Sequence, residues 1–138
     1  MEIINGERLV LGTCYYPEHW DESLWRDDLK RMLENGIEVI RIAEFAWSKI
    51  ERYEGVFNYD FFDRFLDVAA DMGMKVIFCT PTATPPAWLT EKYPEVLNAN
   101  MDGVLYRHGG RRHYNYNSPK YQELTTIIVE KSASHYAK

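Results

Sequence analysis

The sequence is poor in cysteine and lacks the signals of several common protein classes. Its 138 residues include two cysteines, Cys14 and Cys79, which form neither a C-x-x-C pair nor a disulfide framework. We therefore expect reduced, buried thiols in a cytoplasmic protein. No apolar stretch approaches the length of a membrane span, and no basic segment followed by an apolar run opens the chain. We expect neither a membrane anchor nor a secretory leader.

The chain also lacks the excess of positive charge that is typical of nucleic-acid-binding proteins. It has 16 Lys and Arg against 21 Asp and Glu, which gives a formal net charge of -5. Such a chain is poorly suited to phosphate backbones and anionic lipid, so we predict no nucleic acid and no membrane as partner. A neutral polar ligand such as a sugar is compatible with this charge. Because 46% of the residues are hydrophobic, the chain can build a core, which argues against disorder.

What the sequence does contain is an alternation of apolar strands with amphipathic helices. The strands are predicted over Arg8–Tyr15, Val39–Ala43 and Lys75–Thr80. The helices are predicted to begin after an Asp21 cap, at Asn58 or Asp60, and at Pro119 behind a Ser118 cap. The junctions around Gly36 and Gly73 share one pattern, so the unit of strand, loop and helix repeats. A repeated βαβ unit predicts parallel strands, and their continuous apolar runs predict that both faces of the sheet are covered.

Two parallel-sheet architectures fit this order of elements, the doubly wound sheet and the barrel. No G-x-G-x-x-G turn follows the first strand, although doubly wound folds often have one. The connections after the second and third strands are long and aromatic, as in barrels that bind ligands on these loops. The longest is predicted over Pro81–Asn117, and a loop of this length in a compact domain is typically functional. The barrel is therefore the favoured architecture.

Segments rich in aromatic and polar residues follow the carboxyl ends of the predicted strands. A barrel would gather all of them on one face. Aromatic rings offer apolar faces to a sugar, and arginine offers a fixed fork of donors to its hydroxyls. The segments are Cys14–Trp20, Arg41–Ser48, Thr80–Leu89 and Gly109–Tyr114.

These segments resemble the opening motifs of the family 42 β-galactosidases, in that family's order and at its spacing. The matching stretches are Tyr15–Trp20 (YYPEHW), Arg41–Ser48 (RIAEFAWS), Thr80–Leu89 (TPTATPPAWL) and Arg111–Tyr114 (RRHY). The resemblance extends from about Leu11 to the last residue. It implies a (β/α)8 TIM barrel of which this chain supplies about the first three βα units. Residues 1–138 would then be the N-terminal portion of the catalytic domain, ending before the fourth strand.

The resemblance also implies an activity, the retaining hydrolysis of terminal non-reducing β-D-galactosyl residues by two glutamates. Such carboxylates lie about 5–5.5 Å apart. In this family they follow the fourth and seventh strands, so we expect the acid/base and the nucleophile beyond Lys138 and no catalytic residue within the chain. Glu18 and Glu44 are instead expected to hold loops in place. We predict that the isolated chain is inactive.

The resemblance implies that this chain contributes residues that bind the substrate. Arg111 matches the family arginine that contacts galactose in the first subsite, and Arg41 matches the arginine that lines the floor of that subsite. Glu44, Trp47 and Trp88 are further candidates for contact with the sugar. Alternatives remain open, because Arg41 could form an ion pair with a barrel glutamate and each tryptophan could fill the space under its loop.

We predict no metal and no cofactor. Some family members bind a structural zinc through a cysteine just after the RRHY segment, where this sequence has Asn115. His108 and His113 are close in sequence, but further ligands at a suitable spacing are not evident. The expected partner is a galactoside substrate, and the resemblance makes a homotrimer possible for the complete enzyme.

Two alternative functions remain open at this stage. The chain could be a non-catalytic truncated fragment with at most weak affinity for sugar, in which case exposed sheet edges should cause self-association. It could also belong to a barrel glycosidase of another specificity, such as an α-L-arabinopyranosidase or a β-glucosidase. The natural substrate and the preferred linkage do not follow from the sequence.

Overall fold

The computed structural model describes residues 3, 4, 7–110 and 112–137, with side chains from Leu9 onward. The strands are β1 (Ile3–Ile4), β2 (Glu7–Arg8), β3 (Leu11–Cys14), β4 (Ile37–Ile42), β5 (Glu51–Tyr53), β6 (Val56–Phe57) and β7 (Lys75–Phe78). The α-helices are α1 (Trp25–Glu34), α2 (Trp47–Ile50), α3 (Asp60–Asp71), α4 (Ala87–Lys92) and α5 (Pro119–Tyr136). The chain divides into two compact units, one formed by the residues up to Ile42 together with Tyr59–Cys79, the other by Ala43–Asn58 and the residues from Thr80 onward.

The first unit is built on a three-stranded parallel sheet in the order β3-β4-β7. The predicted strands and their parallel pairing are confirmed. β3 and β7 are shorter than predicted, whereas β4 begins two residues earlier, at Ile37, and ends one residue earlier, at Ile42. Gly36 and Gly73 have φ angles of 80° and 72°, so each takes the left-handed conformation between a helix and the next strand. The repeated glycine junction in the sequence is therefore a repeated helix-to-strand turn.

One face of this sheet is covered by helices α1 and α3, which pack against β4 and β7 respectively. Ile40 and Ile42 of the central strand have no exposed surface, and Trp25 stands edge-on to the ring of Phe65 at 5.1 Å between centroids. The other face is open within the described residues, where Ile77 is 55% exposed. The described helices of the unit pack on one side only, and the covering of the second face stays a prediction.

The second unit consists of α2, the β5–β6 hairpin, α4, α5 and the segments between them. Here the sequence predicted only loops before α5. The structure shows instead a helical turn and a hairpin in the first connection, and α4 with two 3-10 turns in the second. These elements are too short to show a hydrophobic period, so sequence periodicity could not detect them.

Helix α5 follows the sequence prediction at its N-terminus. The Ser118 side chain accepts a hydrogen bond from the backbone N–H of Tyr121 at 3.4 Å, and Pro119 occupies the first turn. The helix has 18 residues. Among the residues that the structure describes, no helix is both long and apolar enough to cross a lipid bilayer.

Candidate functional site

Arg41 lies near the carboxyl end of the central strand of the first unit, between two thiols. Its Nε donates a hydrogen bond to Cys79 Sγ at 3.0 Å, and its Nη1 lies 3.7 Å from Cys14 Sγ. The parallel register explains this arrangement, because Cys14 is the β3 partner of Arg41 and Cys79 directly follows β7. The sequence predicts buried thiols, whereas in this structure Cys14 is exposed and Cys79 is partly exposed.

The guanidinium stands on the open face of the sheet. Side chains alternate between the two faces of a strand, so Arg41 points away from the buried Ile40 and Ile42 and shares its side with Ile77, its partner in β7. Arg41 itself is half-buried. A fixed fork of donors on an uncovered, partly apolar surface is suited to a neutral ligand with several hydroxyl groups.

Most of the segment that follows β3 is structural. Tyr15 is buried, its hydroxyl donates to Asp28 Oδ2 at 2.8 Å, and its ring stacks on Phe65. Burial, reinforced by the hydrogen bond and the charge of Asp28, raises the pKa of Tyr15 far above its usual value. Trp20 is the exception, because 55% of its surface is exposed.

In the second unit, Trp47 and Trp88 are both held by Glu51. The indole N–H of Trp47 donates to Glu51 Oε2 at 2.7 Å, and that of Trp88 donates to the Glu51 backbone carbonyl at 3.0 Å. The second carboxylate oxygen accepts from the backbone N–H of Gly55 at 2.7 Å. Trp47 has no exposed surface, whereas Trp88 is half-buried. Of the two rings, only Trp88 has surface available for a sugar in this conformation.

Sequence reasoning missed Glu51. It lies in the segment Glu51–Gly55, which looks like an ordinary polar turn because three of its five residues are charged and a glycine ends it. Only the structure shows that the carboxylate is 3% exposed and bound by donors from two directions. A buried carboxylate of this kind fixes the positions of its donors.

The predicted site residue Glu44 begins the second unit together with Ala43. Ala43 has a φ of 66°, an unusual conformation for a residue with a Cβ, and it is fully buried. Backbone strain of this kind costs on the order of 1–3 kcal/mol and concentrates at functional sites. Glu44 is half-buried directly after this turn.

Arg111, the other predicted sugar-binding arginine, lies outside the described residues. Its neighbour Arg112 is exposed and has a φ of 58°. His113 is 3% exposed, and its Nδ1 lies 2.6 Å from the carbonyl oxygen of Gly110. The RRHY segment thus contains a buried histidine, His113, that contacts the backbone of the preceding turn.

His108 and His113 lie close together, with ring centroids 4.9 Å apart. Partial burial, and then the proximity of His113, lower the pKa of His108. Its Nδ1 is 3.0 Å from Thr90 Oγ1. Within the described part of the chain, no group of three or more His, Cys, Asp or Glu side chains is arranged to hold a metal ion. The absence of a metal stays a prediction.

The sequence model of glycoside hydrolase family 42, described as β-galactosidase, matches residues 14–138. The chain belongs to this family. A β-galactosidase of Halorubrum lacusprofundi is 42% identical over 127 residues, which cover 92% of this chain and 18% of the relative. BgaA of a Thermus species, also named a β-galactosidase, is 46% identical over 127 residues, which cover 20% of that relative.

Solved family 42 structures share the fold described above. The Halorubrum lacusprofundi β-galactosidase matches with a TM-score of 0.90 at 42% identity, over 94% of this chain and 20% of that one. The β-galactosidase from a psychrophilic Marinomonas matches with a TM-score of 0.89 at 41% identity, over 93% of this chain and 20% of that one. The chain is thus an N-terminal α/β portion of a TIM barrel, and it spans about a fifth of the length of these relatives. The predicted fold class is confirmed, whereas the domain boundaries and the roles of the site residues stay predictions.

Proposed function

We propose that the protein containing this sequence is a β-galactosidase that hydrolyses terminal non-reducing β-D-galactosyl residues with retention of configuration. The observation that supports this most strongly is the match of residues 14–138 to a family described as β-galactosidase. Relatives at 42% and 46% identity bear the same description.

Within this proposal, Arg41 binds the galactosyl unit. It stands at the carboxyl end of a parallel strand, which is the end where TIM-barrel enzymes bind their substrates. Its planar guanidinium is held from two sides by neighbouring strands, so little side-chain entropy is lost when it donates hydrogen bonds to a sugar. This preorganisation supports a role on the floor of the first subsite.

The proposed roles of the other residues rest on the family motifs. Arg111 contacts the galactose in the first subsite, and Glu44 and Trp88 line the pocket. For Trp47 the fully buried ring favours a supporting role, as it packs at 6.4 Å from the ring of Tyr121. The catalytic pair of glutamates is proposed to lie outside residues 1–138, in the later strands of the barrel. A trimeric assembly is proposed on the same basis, and a cytoplasmic location is proposed from the low cysteine content.

The test compares the complete protein with the chain of residues 1–138. The complete protein should hydrolyse p-nitrophenyl β-D-galactoside, and the 138-residue chain should show no turnover above background. Galactose should inhibit the complete protein more strongly than L-arabinose or glucose. Stronger inhibition by arabinose or glucose would reassign the specificity to an arabinopyranosidase or a glucosidase.

A matched pair of variants of the complete protein tests the role of Arg41. Arg41→Ala should lower kcat/KM at least about 30-fold, because removing a charged hydrogen-bond donor from a buried polar contact costs about 2 kcal/mol or more. Arg26→Ala is the control, since Arg26 forms a surface ion pair with Asp71 at 2.9 Å. If both variants retain wild-type kcat/KM, Arg41 does not bind the substrate.

A further inference from the structure

Two hydrogen bonds tie the connection between β4 and α3 to the connection between β7 and α5. The hydroxyl of Thr84 donates to the backbone carbonyl of Phe45 at 2.9 Å. The indole N–H of Trp88 donates to the backbone carbonyl of Glu51 at 3.0 Å. Both bonds lie within the second unit, and we refer to them as the interloop bridge. Each carries a side chain of the later connection to the backbone of the earlier one.

In the earlier connection, the acceptor of the Trp88 bond is rigidly held. The side chain of Glu51 is buried, and its two carboxylate oxygens accept hydrogen bonds at 2.7 Å from the Trp47 indole and from the Gly55 backbone. These bonds fix Glu51 between α2 and the turn of the β5–β6 hairpin. Because a buried carboxylate with two donors has little freedom, the backbone carbonyl of the same residue is a fixed acceptor. The position of the Trp88 ring therefore depends on the Glu51 carboxylate.

In the later connection, the donor Thr84 also extends from an anchored backbone. The hydroxyl of Tyr121 donates to the backbone carbonyl of Thr82 at 2.8 Å. Tyr121 belongs to α5 and is buried, so it holds this carbonyl against the helix. Thr84 follows two residues later, and its hydroxyl therefore reaches Phe45 from a segment that is already fixed.

The Thr84 bond meets the earlier connection at its strained segment. Ala43 has a φ of 66°, and Glu44 and Phe45 follow it directly. The backbone N–H of Ala46 donates to the carbonyl of Ala43 at 3.1 Å, which closes a turn around Glu44 and Phe45. A strained turn persists only where the surrounding contacts fix it. The bond from Thr84 to the Phe45 carbonyl is such a contact, so the orientation of Glu44 depends on Thr84.

We propose that Thr84 and Glu51 are positioning residues of the galactoside site. Through the interloop bridge they set how Glu44 and Trp88 face the substrate, without contacting the sugar themselves. This inference rests on the proposed function, in which Glu44 and Trp88 line the pocket. Because a displacement of about 1 Å in a positioned group can lower a rate by about 100-fold, the loss of one bridging bond has a measurable kinetic effect.

The experiment measures the hydrolysis of p-nitrophenyl β-D-galactoside by variants of the complete protein. Thr84→Val removes the hydroxyl and keeps the shape of the side chain. We expect KM and the inhibition constant of galactose to rise about fivefold with kcat within about twofold of wild type, because one neutral hydrogen bond corresponds to about 2- to 13-fold in binding. Thr84→Ser restores the hydroxyl and should restore KM. Thr126→Val is the matched control, since this hydroxyl donates to the Gln122 carbonyl within α5.

Two further variants test the positioning role from other sides. Glu51→Gln should also raise KM about fivefold, with the concentration of active enzyme fixed by titration so that loss of folded protein does not affect kcat. Glu34→Gln, which alters a surface carboxylate that faces Lys30, is its control and should keep the wild-type KM. If Thr84 acts through Glu44, adding Thr84→Val to Glu44→Gln should raise KM by less than about twofold, because the positioned group is already altered.

The outcomes separate a positioning role from a structural one and from failure of the proposed function. A merely structural Thr84 would lower kcat through loss of active protein and leave KM unchanged. That result, or wild-type kinetics for Thr84→Val in an active enzyme, would overturn the positioning role and leave the enzyme assignment standing. A wild-type protein that neither hydrolyses the galactoside nor binds galactose would contradict the proposed function, and the positioning role with it.

Discussion

Replacing Glu51 tests whether one buried carboxylate organises the second unit. Glu51 is 3% exposed, and its two oxygens accept hydrogen bonds at 2.7 Å from the Trp47 indole and from the Gly55 backbone. Glu51→Gln keeps the shape of the side chain and one acceptor oxygen. The other position becomes an NH₂ group, which cannot accept from the donor that faces it.

The expected loss of stability follows from these contacts. A hydrogen bond to a charged group contributes about 1.5–3 kcal/mol, and a buried donor left without a partner costs about 1–3 kcal/mol. Glu51→Gln loses one of the two bonds, so the free energy of unfolding should fall by about 2–3 kcal/mol. Glu51→Ala leaves both donors without a partner and should cost about 4–5 kcal/mol. For a domain whose total stability is about 5–15 kcal/mol, this is a large fraction.

The assay is urea unfolding of the purified chain, followed by far-UV circular dichroism and by tryptophan fluorescence. With a slope of about 2 kcal/mol/M, Glu51→Gln should lower the midpoint by about 1 M. Glu34→Gln is the control, because Glu34 is 61% exposed and faces Lys30 at 3.9 Å. An unchanged midpoint for Glu51→Gln, or equal shifts for both variants, would refute the role assigned to Glu51.

Three other predictions concern packing, pH and association. Gly12→Ala should lower the free energy of unfolding, measured by thermal unfolding, by about 1–3 kcal/mol, because a Cβ at this position would lie 3.0 Å from the carbonyl oxygen of Val39. A wild-type melting temperature would show that β3 and β4 can move apart enough to accept the methyl group. Burial, and then the hydrogen bond with the neighbouring Tyr116, raise the pKa of Tyr114 from its usual 10.0 to about 12. The stability that this raised pKa contributes is therefore complete below pH 10.0 and declines as the pH rises to about 12. Over this pH range the urea midpoint should fall less steeply in Tyr114→Phe than in the wild type. Parallel curves for the two proteins would contradict the assignment. Finally, Ile77→Asp should reduce self-association of the isolated chain, measured by sizing chromatography, more than Ile127→Asp does. Ile77 is 55% exposed on the open sheet face, whereas Ile127 is 38% exposed on α5. A wild-type chain that is monomeric would contradict this prediction.

Local signals in the sequence were sufficient for the main elements of the fold. Apolar runs located the strands of the parallel sheet, and the glycine junctions predicted the turns at Gly36 and Gly73. The Ser118 cap also lies where the sequence placed it. These features depend on neighbours within a few residues, so composition and period are enough to predict them. The family motifs then separated the barrel from the doubly wound sheet.

The sequence by itself therefore determined the order and parallel arrangement of the three strands of the main sheet, the helices α1, α3 and α5, and the family to which the chain belongs. The tertiary structure alone decided which side chains meet. Arg41 contacts a thiol 38 residues away, and Trp88 reaches a carbonyl 37 residues away. Such pairs depend on strand register and on the burial of particular polar atoms, and neither of these produces a periodic pattern in the sequence. For the same reason the exposed Cys14 and the buried Glu51 could be recognised only once the strands and the hairpin were in place.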